Sequence, residues 1–522
     1  MRLSIVRGIA LALCLAVVAR FAFGCAQLVA WPFDWDPGEG LSLDYARRLL
    51  RAPGTLYPRD TVVPYPLVYT PLLTAVLAPV VAWSSAPLQS ARAVLLGFAA
   101  LAGASAFSLG RRAARAEDRL AAGALAVALL FCAVGHSFWF AMVRTDGPMI
   151  ALWLAAAAVA LPERGSASGS REAGEPDAAA VEKGARDDGS VRGGALSWRR
   201  AWVGGALLVL AVLAKPTAAL LGAPIVLGWL AVDRASAIRL GAATVALGAL
   251  SFGALELATA GGFLRCLALQ LDHAQVPGQS QRLLLGWLLR HGPLLALGLV
   301  AALLLVRRRD TAQHPSLRRG GSVLDPALLL WLAGPLSLPL LGKSGAIFVY
   351  LLPWACGQAV LVARWLARLG APGLLAGAVV AALVSVTQTF PLPSPEDART
   401  AQSFYAFVRE RGAPLLASNP DLAYFAVGQP VDIEGSSFPF LAEHREPGIQ
   451  QVLEGVRDAR YRLIIEKSRA GRIVAPAYEA VGACDLGYFL GTLRFTLLVP
   501  RGSGVRFARA EGDRCAVLEP RR

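Results

Sequence analysis

The chain has 522 residues, of which 55% are hydrophobic and only 17% charged, whereas a soluble protein of this size carries about a quarter charged residues. Apolar runs recur from the N-terminus to about residue 390, which excludes a soluble enzyme and indicates a polytopic α-helical membrane protein. The net charge of +15 does not point to nucleic acid, because the arginines cluster between apolar runs, where they report membrane topology.

The first apolar segment carries Arg2 and Arg7 ahead of its hydrophobic stretch and reads as an uncleaved helix over residues 5–30. Phe23 is too bulky for a lipoprotein cleavage site before Cys25, and Arg20 reads as snorkelling to an interface. Next comes Trp31-Pro32-Phe33-Asp34-Trp35-Asp36-Pro37-Gly38-Glu39-Gly40, with aromatic rings followed by three carboxylates. Its Pro and Gly residues favour a turn in which Asp34, Asp36 and Glu39 face a common space. The stretches 44–50 and 69–83 are too short to cross a bilayer and read as juxtamembrane helices within a first external loop, residues 32–89.

Further spans are expected at 90–110, 120–142, 147–161, 201–214, 217–232, 240–258, 283–306, 325–342, 345–367 and 371–390, about eleven in all. Arg111, Arg112, Arg115 and Arg119 form one basic cluster, and Arg164 through Arg200 a second. Arg234 with Arg239, Arg307 through Arg319, and Arg364 with Arg368 form three more. Taken as cytoplasmic, they put the N-terminus inside and the intervening loops outside a cell (inner) membrane. Residues 163–200, rich in Gly, Ser, Ala and charge, read as a disordered cytoplasmic loop. No internal repeat suggests a transporter built from inverted halves.

Residues 1–390 thus form a transmembrane module, and residues 391–522 a small extracytoplasmic α/β domain. In that domain a helix is expected at 401–411, with strands at 415–418, 462–466 and 491–500. Cys484 and Cys515 could pair in an oxidising compartment.

Ionisable residues at membrane depth are costly and mark functional sites. On the external side these are Asp34, Asp36 and Glu39, then Arg144-Thr145-Asp146, Lys215, Arg265 to His273, and Lys343. The cysteines show no metal-ligand spacing, and a divalent metal between the two acidic loops stays open. No cofactor is indicated.

The run from Asp36 to Leu50, then Gly54, Leu56-Tyr57, Tyr69-Thr70-Pro71, Arg144-Thr145-Asp146, Ala214-Lys215-Pro216-Thr217 and Tyr350-Leu351-Leu352-Pro353, resembles the GT-C superfamily of integral-membrane glycosyltransferases. That superfamily includes protein O-mannosyltransferases and lipid A aminoarabinose transferases. The resemblance implies sugar transfer, with inversion, from a polyprenyl-phosphate-linked donor to a hydroxyl of a glycan, lipid or protein acceptor. It implies Asp36 or Glu39 as general base, with Glu39 slightly favoured, and Asp146 as a second acid that orients the acceptor. Arg144, Lys215 and Lys343 would hold the donor phosphate, and Tyr69 and Tyr350 would line the substrate site.

Two departures stand out. Gly38 occupies the place of the first member of an adjacent acidic pair, and Thr70-Pro71 stands where aminoarabinose transferases carry Lys-Pro. The alternative reading, a non-catalytic flippase or exporter of lipid-linked saccharide, predicts charges at mid-membrane, where Glu256 is the main acid and lies near a span's outer end. A sensory protein acting through its tail would rest on residues such as His444, which lack a catalytic order.

Overall fold

The fold is that of a computed structural model describing residues 2–518 except 37, 62, 134–136, 162–194, 231–232, 272–274, 312–324, 344–346, 430–447, 468–475, 489–490 and 508–511. The loop expected to be disordered lies almost wholly outside the described residues, as do His273 and His444.

The protein is a polytopic helical membrane protein. Among the described residues, five helical segments are long and apolar enough to cross a bilayer: Leu3–Ala30, Pro87–Arg111, Arg234–Ala258, Gln279–Arg307 and Phe348–Ala367. Helix α1 (Arg2–Ala30) fixes the geometry of the bundle. At its start, Arg7 Nε donates to Asp118 Oδ1 at 2.7 Å. At its far end, the carbonyls of Leu28 and Trp31 accept from Arg92 at 2.9 and 2.7 Å. Arg20, half-buried, donates to Gln388 O at 2.7 Å and to Ser385 Oγ at 3.1 Å, which gives partners to a charge on an apolar helix.

Two short helices follow α1. Helix α2 (Glu39–Arg51) begins earlier than the expected 44–50, because the positive φ of Gly38 ends the preceding turn. Helix α3 (Leu72–Trp83) has 12 residues, about 18 Å of rise, too short for the ~30 Å hydrocarbon core.

The bundle continues with α4 (Pro87–Arg111), α5 (Arg119–Cys132), α6 (Asp146–Ala160), α7 (Trp198–Ala214), α8 (Ala218–Leu230), α9 (Arg234–Ala258), α10 (Gly262–Leu271), α11 (Gln279–Thr311), α12 (Pro326–Ala333), α13 (Leu352–Ala367) and α14 (Ala371–Thr387). Lys215 sits at the turn between α7 and α8. Glu256 accepts the Leu264 amide at 2.9 Å and so serves the first turn of α10.

Beyond the bundle, α15 (Pro395–Arg411) starts with a reciprocal capping box between Ser394 and Asp397. It packs on a five-stranded sheet of order β1-β2-β4-β3-β5, comprising β1 (Leu415–Ala417), β2 (Leu463–Lys467), β3 (Tyr478–Tyr488), β4 (Gly491–Pro500) and β5 (Cys515–Val517). Only the β1–β2 pair is parallel. Helices α16 (Pro420–Val427) and α17 (Ile449–Arg457) complete this part. Cys484 and Cys515, paired in register on β3 and β5, form a disulfide. One apolar cluster joins Leu416, Ile464 and Val452 of this region to Tyr45, Tyr57 and Leu67 of the first loop and to Phe263 of α10.

Candidate active site

The three acids of the first loop do not share one space. Each takes a different partner. Glu39, wholly enclosed, receives a bidentate ion pair from Arg92 on α4, with Nε to Oε1 at 2.9 Å and Nη2 to Oε2 at 2.5 Å. The amides of Trp35 and Asp36 donate to Oε2 at 2.8 and 3.3 Å, and the Val143 amide donates to Oε1 at 3.2 Å. Burial would raise its pKa, but the charge and hydrogen bonds of Arg92, with the Trp35 and Val143 amides, outweigh it. Glu39 is held below the usual carboxylate range. This carboxylate is a tie between the first loop, α4 and the turn ahead of α6.

Asp36 is buried but far less saturated. Its Oδ2 lies 3.2 Å from Arg144 Nη1, and Arg144 is the more open of the two, a quarter exposed at 25%. Burial pushes Asp36 up to about 6; Arg144 opposes this, while the negative charges of Glu39 and Asp146 add to it. Gly38 permits the approach. A Cβ there would stand 2.1 Å from Arg144 Nη1, and its φ of +146° is one that L side chains rarely adopt.

Asp146 opens α6, and its Oδ1 accepts from Lys215 Nζ at 2.6 Å, both side chains being buried. The same ammonium stands 4.4 Å from the ring centroid of Tyr350. Burial alone would lower the Lys215 value, but Asp146 with Tyr350 and Tyr69 more than reverses this, so the lysine stays protonated. Tyr69 senses Tyr350, Lys215, Arg144 and Asp146, and burial pushes its phenol upward. Gly38, Ser42, Tyr69, Thr70, Arg144 and Thr145 line a hollow beside this cluster.

The structure therefore brings together Asp36, Arg144, Asp146, Lys215, Tyr69 and Tyr350. Lys343 lies on another turn, bridged to Gln275, with its carbonyl accepting Gln279 Nε2 at 2.6 Å. Arg265 reaches the carbonyls of Pro58 and Thr61 at 3.3 and 3.4 Å, bracing the first loop from α10. Asp36 and Asp146 are each neutralised by a cation, and among the described residues no third His, Cys, Asp or Glu joins them as a metal ligand set. Each acid already has a protein cation as its counter-charge, so no step is routed through a divalent ion.

Two site-building residues escaped the sequence reading. Arg92 resembles an ordinary charge at the end of a span; its only signal is that it falls within the first turns of an apolar helix. Tyr405 lies on α15, and its hydroxyl donates to Asp34 Oδ1 at 2.5 Å across 371 residues of sequence. No local pattern encodes such a contact.

No family model and no curated protein matches the chain. Solved structures do. ArnT from Cupriavidus metallidurans bound to undecaprenyl phosphate superposes with a TM-score of 0.57 and 12% identity, covering 97% of this chain and 99% of that one. The chain is similar in fold to ArnT. ArnT from the same organism in the apo state gives a TM-score of 0.54 at 13% identity, over 92% of this chain and 97% of that one. The apo oligosaccharyltransferase of Archaeoglobus fulgidus gives 0.50 at 14% identity, over 96% of this chain and 75% of that one. The likeness in fold to ArnT extends beyond the helices, since the alignments leave only a small part of this chain uncovered.

Proposed function

We propose that the protein is a membrane glycosyltransferase. It moves a sugar from a polyprenyl-phosphate-linked donor to a hydroxyl of a glycan, lipid or protein acceptor at the extracytoplasmic face, with inversion. The observation that carries this reading is Asp36, a buried carboxylate raised to about 6 and paired with Arg144 at 3.2 Å. A base of that strength ionises at neutral pH yet keeps a useful affinity for the acceptor proton. The structural neighbour bound to undecaprenyl phosphate supports the choice of donor class.

In this reading the acceptor oxygen attacks the anomeric carbon as its proton passes to Asp36. The bond from that carbon to the phosphate oxygen breaks, and its electron pair leaves on the lipid phosphate. Protonation of Asp36 removes the charge that Arg144 balances, at the moment when the phosphate gains one. Arg144 and Lys215 then stabilise the leaving group in a water-poor site. Asp146 keeps Lys215 charged and in place, which fits a positioning role. Tyr69 and Tyr350 wall the donor side, and Lys343 is not required by this arrangement.

Of the two carboxylates that the sequence left competing, with a slight lean to Glu39, this reading takes Asp36 as the base. Both Glu39 oxygens are engaged by Arg92 and backbone amides, leaving no lone pair directed at a substrate. The test is sugar transfer from labelled polyprenyl-phosphate donors in proteoliposomes. Asp36→Asn should lower turnover by about 100- to 10,000-fold. Turnover at the wild-type level in that variant would defeat the assignment.

A further inference from the structure

We propose that Tyr405 is a positioning residue: its hydroxyl grips Asp34 and thereby holds the 33–36 turn so that Asp36 faces Arg144. The inference rests on the reading of Asp36 as the base and adds a role for the region beyond residue 391. It follows from how the turn is held. Residues 31–36 form neither helix nor strand, so their shape depends on what grips them.

From the membrane side, Arg92 Nη2 donates to Phe33 O at 2.9 Å, and Glu39 accepts the amides of Trp35 and Asp36. These contacts fix backbone atoms. On the opposite side Tyr405 donates to Asp34 Oδ1 at 2.5 Å, and the Phe33 ring stacks on Tyr405 with centroids 5.6 Å apart and planes 10° from parallel. Trp35 Nε1 donates to Pro391 O at 2.7 Å. Asn419 Nδ2 donates to the Tyr488 hydroxyl at 2.8 Å; burial pushes Asp34 up to about 6, and the Tyr405 and Tyr488 hydroxyls oppose that rise.

Asp34 and Asp36 therefore flank Trp35 and take partners from different parts of the molecule. A stack such as Phe33 on Tyr405 tolerates sliding, whereas a short hydrogen bond to an ionised carboxylate fixes register. Tyr405 is almost fully enclosed at 1% exposure, so water does not replace its hydroxyl if that hydroxyl is removed. With that bond lost, the Phe33 stack, the Trp35 bond to Pro391 and Tyr488 remain as a looser grip on this side, under which the turn can shift and carry Asp36 away from Arg144 towards water.

Tyr405→Phe keeps the ring, the stack and the volume and removes only the bond. It is compared with Asp34→Ala and the double variant, in the full-length protein in proteoliposomes, by turnover, donor KM, pH profile and thermal melting. The groups facing Asp36, which are Arg144, Glu39, Asp146 and Arg92, stay unchanged. The expected result is turnover lower by about 10- to 100-fold, the scale of a misplaced catalytic group. Donor KM should stay within about twofold, and the double variant should be no worse than the poorer single one. The acidic limb of the pH profile should move to lower pH as Asp36 regains water.

Wild-type turnover and an unmoved limb in Tyr405→Phe would overturn the proposal. So would an activity loss that merely follows the loss of folded protein while the limb stays in place. Asp36→Asn separates the two levels of argument. If that variant is inactive while Tyr405→Phe behaves as wild type, the positioning role alone fails; if it is fully active, the base assignment fails and this inference with it.

Discussion

Replacing Glu39 by Gln removes the charge that balances Arg92 while both side chains stay enclosed. An unpaired buried guanidinium is among the costliest defects a point change can leave, so Glu39→Gln should lose about 3–5 kcal/mol of stability, read by unfolding in detergent. Asp36→Asn should behave in the opposite way. Its folded-state value, raised to about 6, means that the folded protein binds this proton more tightly than the unfolded chain does. The associated stability is complete below the unfolded value of about 4 and is lost as pH rises through the folded value of about 6. At pH 7 a permanently neutral Asn therefore relieves a cost, and the variant should melt at or above the wild-type temperature while its turnover falls by about 100- to 10,000-fold. In the wild type, turnover should fall as pH drops through about 6, because the base must be ionised. A limb near pH 4 would instead indicate a solvated carboxylate.

At the scale of elements, close helix contacts rest on particular glycines. A Cβ on Gly357 of α13 would stand 2.5 Å from the Leu330 carbonyl of α12, whereas one on Gly253 of α9 would meet nothing within 4 Å. Gly357→Ala should cost about 1–3 kcal/mol by forcing the helices apart, and Gly253→Ala should be neutral or slightly stabilising. Comparing melting temperatures of the two variants in one detergent checks this, and equal shifts would refute it. The apolar helices were legible because burial in lipid is written residue by residue; the predicted 371–390 lies on α14, Ala371–Thr387. Strand β3 was not legible, since Gly482 and Gly487 interrupt its alternation and a bulge shifts its register between Ala480 and Gly482. The chemistry of the first loop was half legible. Its acids declared themselves by type and place, but the roles of Glu39 and Asp36 depend on Arg92, 53 residues from Glu39, and on Arg144, which the spacing alone does not assign.

Over the whole molecule, charge sorts to two ends of the bundle. At the end where α1 begins, Arg7 meets Asp118, and Arg364 reaches both Asp325 at 3.1 Å and the Leu109 carbonyl at 2.8 Å. Arg200 meets the Val159 carbonyl at 2.7 Å, and Arg239 the Leu196 carbonyl at 2.8 Å. At the other end lie Arg92, Glu39, Asp36, Asp146 and Lys215, and there the sheet region docks through Tyr405 and Pro391. On the proposed orientation, the arginine-rich end is the one that faces the cytoplasm. A cysteine placed at exposed Gln402 on α15 should then react with an impermeant thiol reagent added to intact cells. One at Ser166, which falls between α6 and α7 in the sequence, should react only after permeabilisation. Native thiols interfere little, since Cys14, Cys25, Cys132, Cys266 and Cys356 are buried and Cys484 is bonded to Cys515. Labelling of both positions from outside would place the arginine clusters on both faces and break the orientation. It would also separate the carboxylate site from the face on which an extracytoplasmic transfer must occur.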